Sequence, residues 1–151
     1  MKLPLSLLAL GLLFAAAQAQ AAPNCTVKLK GDDRMQFDQK TVTVSASCKT
    51  ITLELAHVGK LPAQAMGHNV VVTRTADVSA VAAAGMKAGL PNQYVPKGDA
   101  RVLGFTSVIG GGATTRATMP GAKLQAGGDY TFFCSFPGHS GIMKGKLVVT
   151  K

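Results

Sequence analysis

"KTVTVSASCKTITLELAH", residues 40–57, decides the fold. Its first half alternates, with Val42, Val44, Ala46 and Cys48 on one side of an extended chain and Thr41, Thr43, Ser45 and Ser47 on the other. Lys49 and Thr50 interrupt the pattern, which resumes with Ile51, Leu53, Leu55 and His57 sharing one face. A period of two is that of a strand with one side in a core; a helix would need 3.6.

Working outward, residues 27–30 read as a preceding strand. "HNVVVTR" (68–74), "ARVLGFTSVIG" (100–110), "DYTFFCS" (129–135) and "KGKLVVTK" (144–151) read as later ones, rich in β-branched and aromatic residues. Gly- or Pro-containing turns separate nearly all of them. "DVSAVAAAGMKAGLP" (77–91) breaks the pattern: it is Ala-rich, opens at Asp77 as N-cap and closes at Gly89 before Pro91. Seven or eight short strands with a single inserted helix predict an all-β, Greek-key β-sandwich.

The N-terminus has a different purpose. Lys2 precedes an almost wholly apolar stretch over residues 3–17, and "AQAQAAP" (17–23) supplies small residues for cleavage after Ala19 or Ala21. That is a secretory signal peptide over residues 1–21, too short for a membrane anchor. Residues 22–151 then form one exported domain, expected to be a monomer that does not engage a membrane. Sixteen Lys and Arg against seven Asp and Glu give +9, or +8 once Lys2 is removed with the leader. These cations stand singly, with no basic run, aromatic interleaving or nucleic-acid motif, so nucleic acid is excluded as a partner. The surplus suits solubility and steering towards an acidic partner. The "NCT" sequon (24–26) overlaps Cys25 and reads as chance.

Export makes the three cysteines informative. Cys25 and Cys48 both lie in strand-like segments, and bridging them would contribute roughly 3.5 kcal/mol on the chain-entropy estimate. Cys134 bonded to either one is the alternative, and each pairing leaves a different free thiol. An unpaired thiol in an oxidising compartment needs protection, which a metal provides.

Cys134 opens "CSFPGHSGIMKG" (134–145), where four residues separate it from His139 and three more separate His139 from Met143. Pro137, Gly138 and Gly141 make this a loop, and such a loop can aim all three side chains at one point. His68, in "MGHN" (66–69), would arrive from another strand. Thiolate and thioether are soft donors and imidazole is borderline, so magnesium and calcium do not suit the set. Structural zinc prefers four strong ligands. Two His and one Cys in a plane with a weak axial Met describe a blue-copper electron-transfer site. A hydrolase nucleophile at Cys134 would need an orienting group and an oxyanion hole, which nothing marks, and it would give Met143 no role.

"GHN" (67–69), "GMKAGL" (85–90) and "YTFFCSFPGH" (130–139) together resemble the azurins, bacterial type 1 copper proteins of the cupredoxin family, and the similarity spans the whole exported domain. The resemblance implies one copper ion held by His68, Cys134 and His139, with Met143 as a distant axial ligand and the Gly67 carbonyl opposite it. It implies a Cys25–Cys48 disulfide and a bracing role for Asn69. It also implies an apolar docking face drawn from Met35, Leu61, Met66, Met86, Phe136, Pro137 and Ile142 around the edge of His139, with the tip of the loop as electron port. Two departures stand out: there is no Trp, Val70 occupying a place where some azurins carry one, and the chain is strongly basic.

His57 shares its face with Ile51, Leu53 and Leu55 and reads as a buried, hydrogen-bonded histidine. The resemblance adds the expectation of a pH-linked role for it beside the copper. The function expected is that of a periplasmic, non-enzymatic carrier of single electrons between redox proteins such as c-type cytochromes and periplasmic reductases or dehydrogenases. A copper oxidase or nitrite reductase would need a second site with further histidines, and only His57 remains. A copper carrier or storage protein is the alternative.

Overall fold

The computed structural model describes residues 22–151; the signal-peptide reading lies on residues 1–21, outside the described residues. Nine strands and two helices follow in the order β1 (Thr26–Asp32), β2 (Gln36–Phe37), β3 (Thr41–Ser45), β4 (Thr50–His57), α1 (Ala63–Met66), β5 (Val71–Arg74), α2 (Val78–Ala88), β6 (Gly104–Phe105), β7 (Thr114–Pro120), β8 (Tyr130–Phe133) and β9 (Lys144–Thr150). They form a sandwich of a four-stranded sheet, β2-β1-β4-β7, and a five-stranded sheet, β3-β9-β8-β5-β6. β1 runs parallel to β4 and β3 parallel to β9, while the other pairings are antiparallel. This is the all-β sandwich that the alternation predicts.

β4 explains the core. Ile51, Leu53, Leu55 and His57 are all buried, as their common face requires, and the three aliphatic residues share the main core with Val27 and Leu29 of β1 and Val42 and Val44 of β3. β5, up to Arg74, and β8 are buried on both faces, so apolar residues stand at successive positions in Val71–Val72 and Phe132–Phe133 rather than at alternate ones. Val70, Val72 and Phe132 face the main core, whereas Val71 and Phe133 face a second cluster with Val81 and Ala82 of α2. Val70 is wholly buried. At Gly85 a side chain would collide with the Tyr94 carbonyl, so this glycine lets the helix lie directly on the chain that follows it.

Several sequence expectations change. The alternation over residues 41–48 stops at Val44: Ser45 is buried, and residues 46–47 leave the strand in a turn. Of residues 100–110 only Gly104–Phe105 forms a strand, joined by an isolated bridge between His68 and Ile109. β7 was not anticipated; it is an edge strand with only Met119 buried, so its alternation is not written in apolar residues. Beside the one inserted helix, α2, a single four-residue turn, α1, follows Pro62. Asp77 is not a side-chain cap either: its backbone is already helical, and α2 is entered through a 3-10 turn over Thr75–Asp77.

Cys25 and Cys48 are joined as a disulfide with their Cα atoms 5.6 Å apart, leaving Cys134 as a buried free thiol. That settles the pairing left open by the count. Among the described residues no helix is long and apolar enough to cross a membrane.

Candidate metal centre

The β8–β9 loop is built to hold its side chains still. The Cys134 N–H donates to the Met143 carbonyl at 2.9 Å, tying together the two ends of the loop. Inside it, the His139 N–H donates to Phe136 O at 3.0 Å, and the Met143 N–H donates to His139 O at 2.8 Å. Gly138 takes φ +82°, a left-handed conformation that favours glycine and permits the tight return. His68 comes from the other side of the chain, exchanging both backbone hydrogen bonds with Ile109 at 2.9 Å.

Three donor atoms converge. Cys134 Sγ lies 3.5 Å from His139 Nδ1 and 4.0 Å from His68 Nδ1, and the three ligand atoms are within 4.8 Å of one another. Bonds of about 2.0 Å to nitrogen and about 2.3 Å to sulfur, set at about 120°, would separate N from S by roughly 3.7 Å. The observed separations bracket that value. Among the described residues this is the single cluster of three such ligands. Its residues are 0–3% exposed.

The surrounding groups fix how the donors face. His68 Nε2 donates to the Asp32 carbonyl at 2.8 Å, so Nδ1 is the bare nitrogen turned towards the sulfur. The Gly67 carbonyl oxygen faces the same region, 3.0 Å from His68 Nδ1 and 3.8 Å from Cys134 Sγ. Met143 is fully buried. A side chain at Gly31 would come within 2.8 Å of both Met143 Cε and His68 Cδ2, so this glycine leaves the space in which those two groups sit. Asn69 Oδ1 accepts the Ser135 N–H at 2.9 Å, while its amide donates to Gln93 O at 2.9 Å and to Ser135 Oγ at 2.8 Å.

Burial sets the protonation of the metal-free centre. It pushes the Cys134 thiol up to about 12, although the backbone N–H groups of Asn69 and Phe136 aimed at the sulfur act the other way. Burial, then the neighbouring His68 and His57, bring His139 down to about 4. His68 is lowered by burial, partly opposed by its bond to Asp32. Neutral imidazoles are ready to bind a cation, whereas the thiol must first lose a proton.

His57 is buried and stacks on His68 with ring centroids 4.2 Å apart. Its Nε2 donates to Met66 O at 2.8 Å and its Nδ1 accepts the Gly59 N–H at 3.1 Å, the satisfied histidine its strand position predicts. Of the residues expected on a docking face, Leu61, Met86 and Ile142 are exposed, and Met35, Met66 and Pro137 are half-buried. Phe136 differs: it is 8% exposed and packs on His139 and Tyr94, so it backs that face rather than lining it. Little of His139 itself reaches solvent.

Sequence reasoning passed over Gly31, the Asp32 carbonyl, Ser135, Gln93 and exposed Val58. A glycine inside a strand was a usable sign of close approach at Gly31; the others carried no local signal.

The family model for copper binding proteins of the plastocyanin/azurin family matches residues 23–150. The chain is 53% identical over 138 residues to an azurin of Bordetella pertussis, covering 91% of this chain and 92% of that one. It is 57% identical over 123 residues to an azurin of Alcaligenes faecalis, covering 82% and 96%. The solved structure of an azurin (Az-iso2) from the obligate methylotroph Methylomonas sp. strain J superposes with a TM-score of 0.80 at 38% identity, covering 84% of this chain and 98% of that one. With the fold, the converging His68, Cys134 and His139, and these relatives in agreement, the chain belongs to the plastocyanin/azurin family of copper-binding proteins and is a blue copper protein with a site that fits one copper ion.

Proposed function

We propose that the protein carries single electrons between redox proteins in the periplasm, as one exported domain of residues 22–151 released from a signal peptide over residues 1–21. His68, Cys134 and His139 would hold the ion, and Met143 and the Gly67 carbonyl would be its weaker partners. Copper supplies the redox chemistry by alternating between its cupric and cuprous states. What supports the reading most is the convergence of two imidazole Nδ1 atoms, from His68 and His139, on one buried sulfur, within a frame whose hydrogen bonds are already made. A preformed ligand frame has little to rearrange when charge changes, and that favours transfer over catalysis. His57, the remaining histidine, has both ring nitrogens engaged and cannot build a second copper site. Ligands buried this deeply also favour a resident ion over the ready exchange of a copper carrier.

The exposed Leu61, Met86 and Ile142 are the residues that would supply an apolar contact surface of the kind used in brief redox encounters. Lys40 Nζ lies 3.5 Å from the Ile142 carbonyl, and Lys60 and Lys144 adjoin Leu61 and Met143 in sequence. These cations steer acidic partners, such as a c-type cytochrome or a periplasmic reductase or dehydrogenase. Visible and EPR spectra of the copper-loaded protein test the site: an intense blue band with narrow copper hyperfine splitting is expected. A colourless, zinc-only product would refute it. Stopped-flow reduction by acidic cytochromes, slowing as salt rises, tests the partner class.

A further inference from the structure

Gln93 belongs to no strand or helix, yet it touches the supports of two metal-binding residues. It follows the 3-10 turn Leu90–Asn92 with φ +59°, and Tyr94 beside it has φ +52°. Two successive non-glycine residues in the left-handed region persist only where the surroundings hold them there. Here the Gln93 N–H donates to Leu90 O at 2.8 Å and the Tyr94 N–H donates to Gly89 O at 3.0 Å. The Tyr94 ring packs edge-on against Phe136 with centroids 5.2 Å apart.

That conformation turns both acceptors of Gln93 towards the centre. Its main-chain carbonyl takes the Asn69 amide at 2.9 Å, and Asn69 in turn fixes the Ser135 N–H next to Cys134. Its side-chain Oε1 takes the Val108 N–H at 2.6 Å, and Val108 precedes Ile109, the bridge partner of His68. The 108–109 segment lies outside any ladder apart from that bridge, so the amide of Gln93 is one of its few fixed supports. Val108 also presses on Gly67: a Cβ there would stand 2.6 Å from Val108 Cγ1.

We infer that Gln93 is a positioning residue of the copper centre, setting the relative placement of His68 and Cys134 through Val108 and Asn69. The inference rests on those two residues being ligands. The test compares copper-loaded wild type with Gln93→Met, which keeps the length of the side chain but has no oxygen acceptor, and Gln93→Glu, which restores one. In Gln93→Met the copper hyperfine splitting changes, the reduction potential moves, and electron self-exchange slows about five- to tenfold, as expected for one lost hydrogen bond. Gln93→Glu returns the wild-type hyperfine splitting. If Gln93→Met does not fold, Gln93→Asn, one methylene too short to reach Val108, reads the same quantities. Unchanged splitting, potential and self-exchange in the acceptor-lacking variant overturn the inference, even if its melting temperature falls. A wild type without the blue band overturns the ligand reading instead, and this inference with it.

Discussion

Cys48 and Cys134 are both buried at the margins of the sandwich, 5% and 0% exposed, but their surroundings have little in common. Cys48 precedes β4 and is bonded to Cys25, just before β1, where the parallel pairing of those strands brings the two residues together. Cys134 leaves β8 towards two imidazole nitrogens and backbone N–H groups, and no second cysteine is bonded to it. One sulfur stiffens the chain; the other is kept as a donor. The same element is put to two uses because different neighbours were delivered to it.

Breaking the donor side has the largest effect. Cys134→Ser should remove the blue absorption entirely while circular dichroism still reports the sandwich; a retained band would mean that the sulfur is not a ligand. Next comes proton linkage. With Cys134 at about 12 and His139 at about 4, the empty centre at neutral pH carries one proton to be displaced. Copper affinity should therefore rise about tenfold per pH unit between pH 7 and 9, measured by chelator competition.

The same shifts act on the metal-free protein. His139 is depressed, so the unfolded chain takes up its proton first; stability is lost as pH falls from 6.5 through about 4. Cys134 is raised, so stability is lost as pH climbs above 9 towards about 12. Denaturant titrations across that range should show both flanks, and the disulfide side should contribute to neither.

Replacing both Cys25 and Cys48 by Ser inverts the comparison. Stability should fall by roughly 3.5 kcal/mol with the copper spectrum unchanged; an altered spectrum would show that the two regions are coupled. Gly31→Ala is subtler. Its methyl would press on His68 and Met143, costing about 1–3 kcal/mol as overpacking and changing the EPR line shape. Smallest is Arg116→Ala on the outer face of the four-stranded sheet, whose contact with Glu54 is 3.6 Å long and largely exposed. It should stay within about 0.5 kcal/mol and leave the spectrum alone.

Much of this was legible beforehand. Ile51, Leu53, Leu55 and His57 announce a half-buried strand because alternation is a local property, and they are buried as it requires. β7 was illegible because an edge strand facing solvent has no need of apolar alternation. The resemblance implies a docking face that includes Phe136, whereas the ring lies beneath that face, since composition cannot separate a core ring from a surface one. Gln93 was invisible because its role depends on a backbone conformation and two distant partners, neither of which leaves a local pattern.

By itself the sequence determined the strand periodicity, the loop spacing of Cys134, His139 and Met143, and the presence of one unpaired thiol among three. Those properties live within a few residues of chain, where covalent geometry translates spacing directly into direction. Only the tertiary structure decided which cysteine stayed free and which nitrogen of His68 faces the sulfur from 66 residues away. The same holds for which carbonyls and amides brace the centre. Those are distances between remote segments, set by the pairing and packing of the two sheets rather than by any local run of residues.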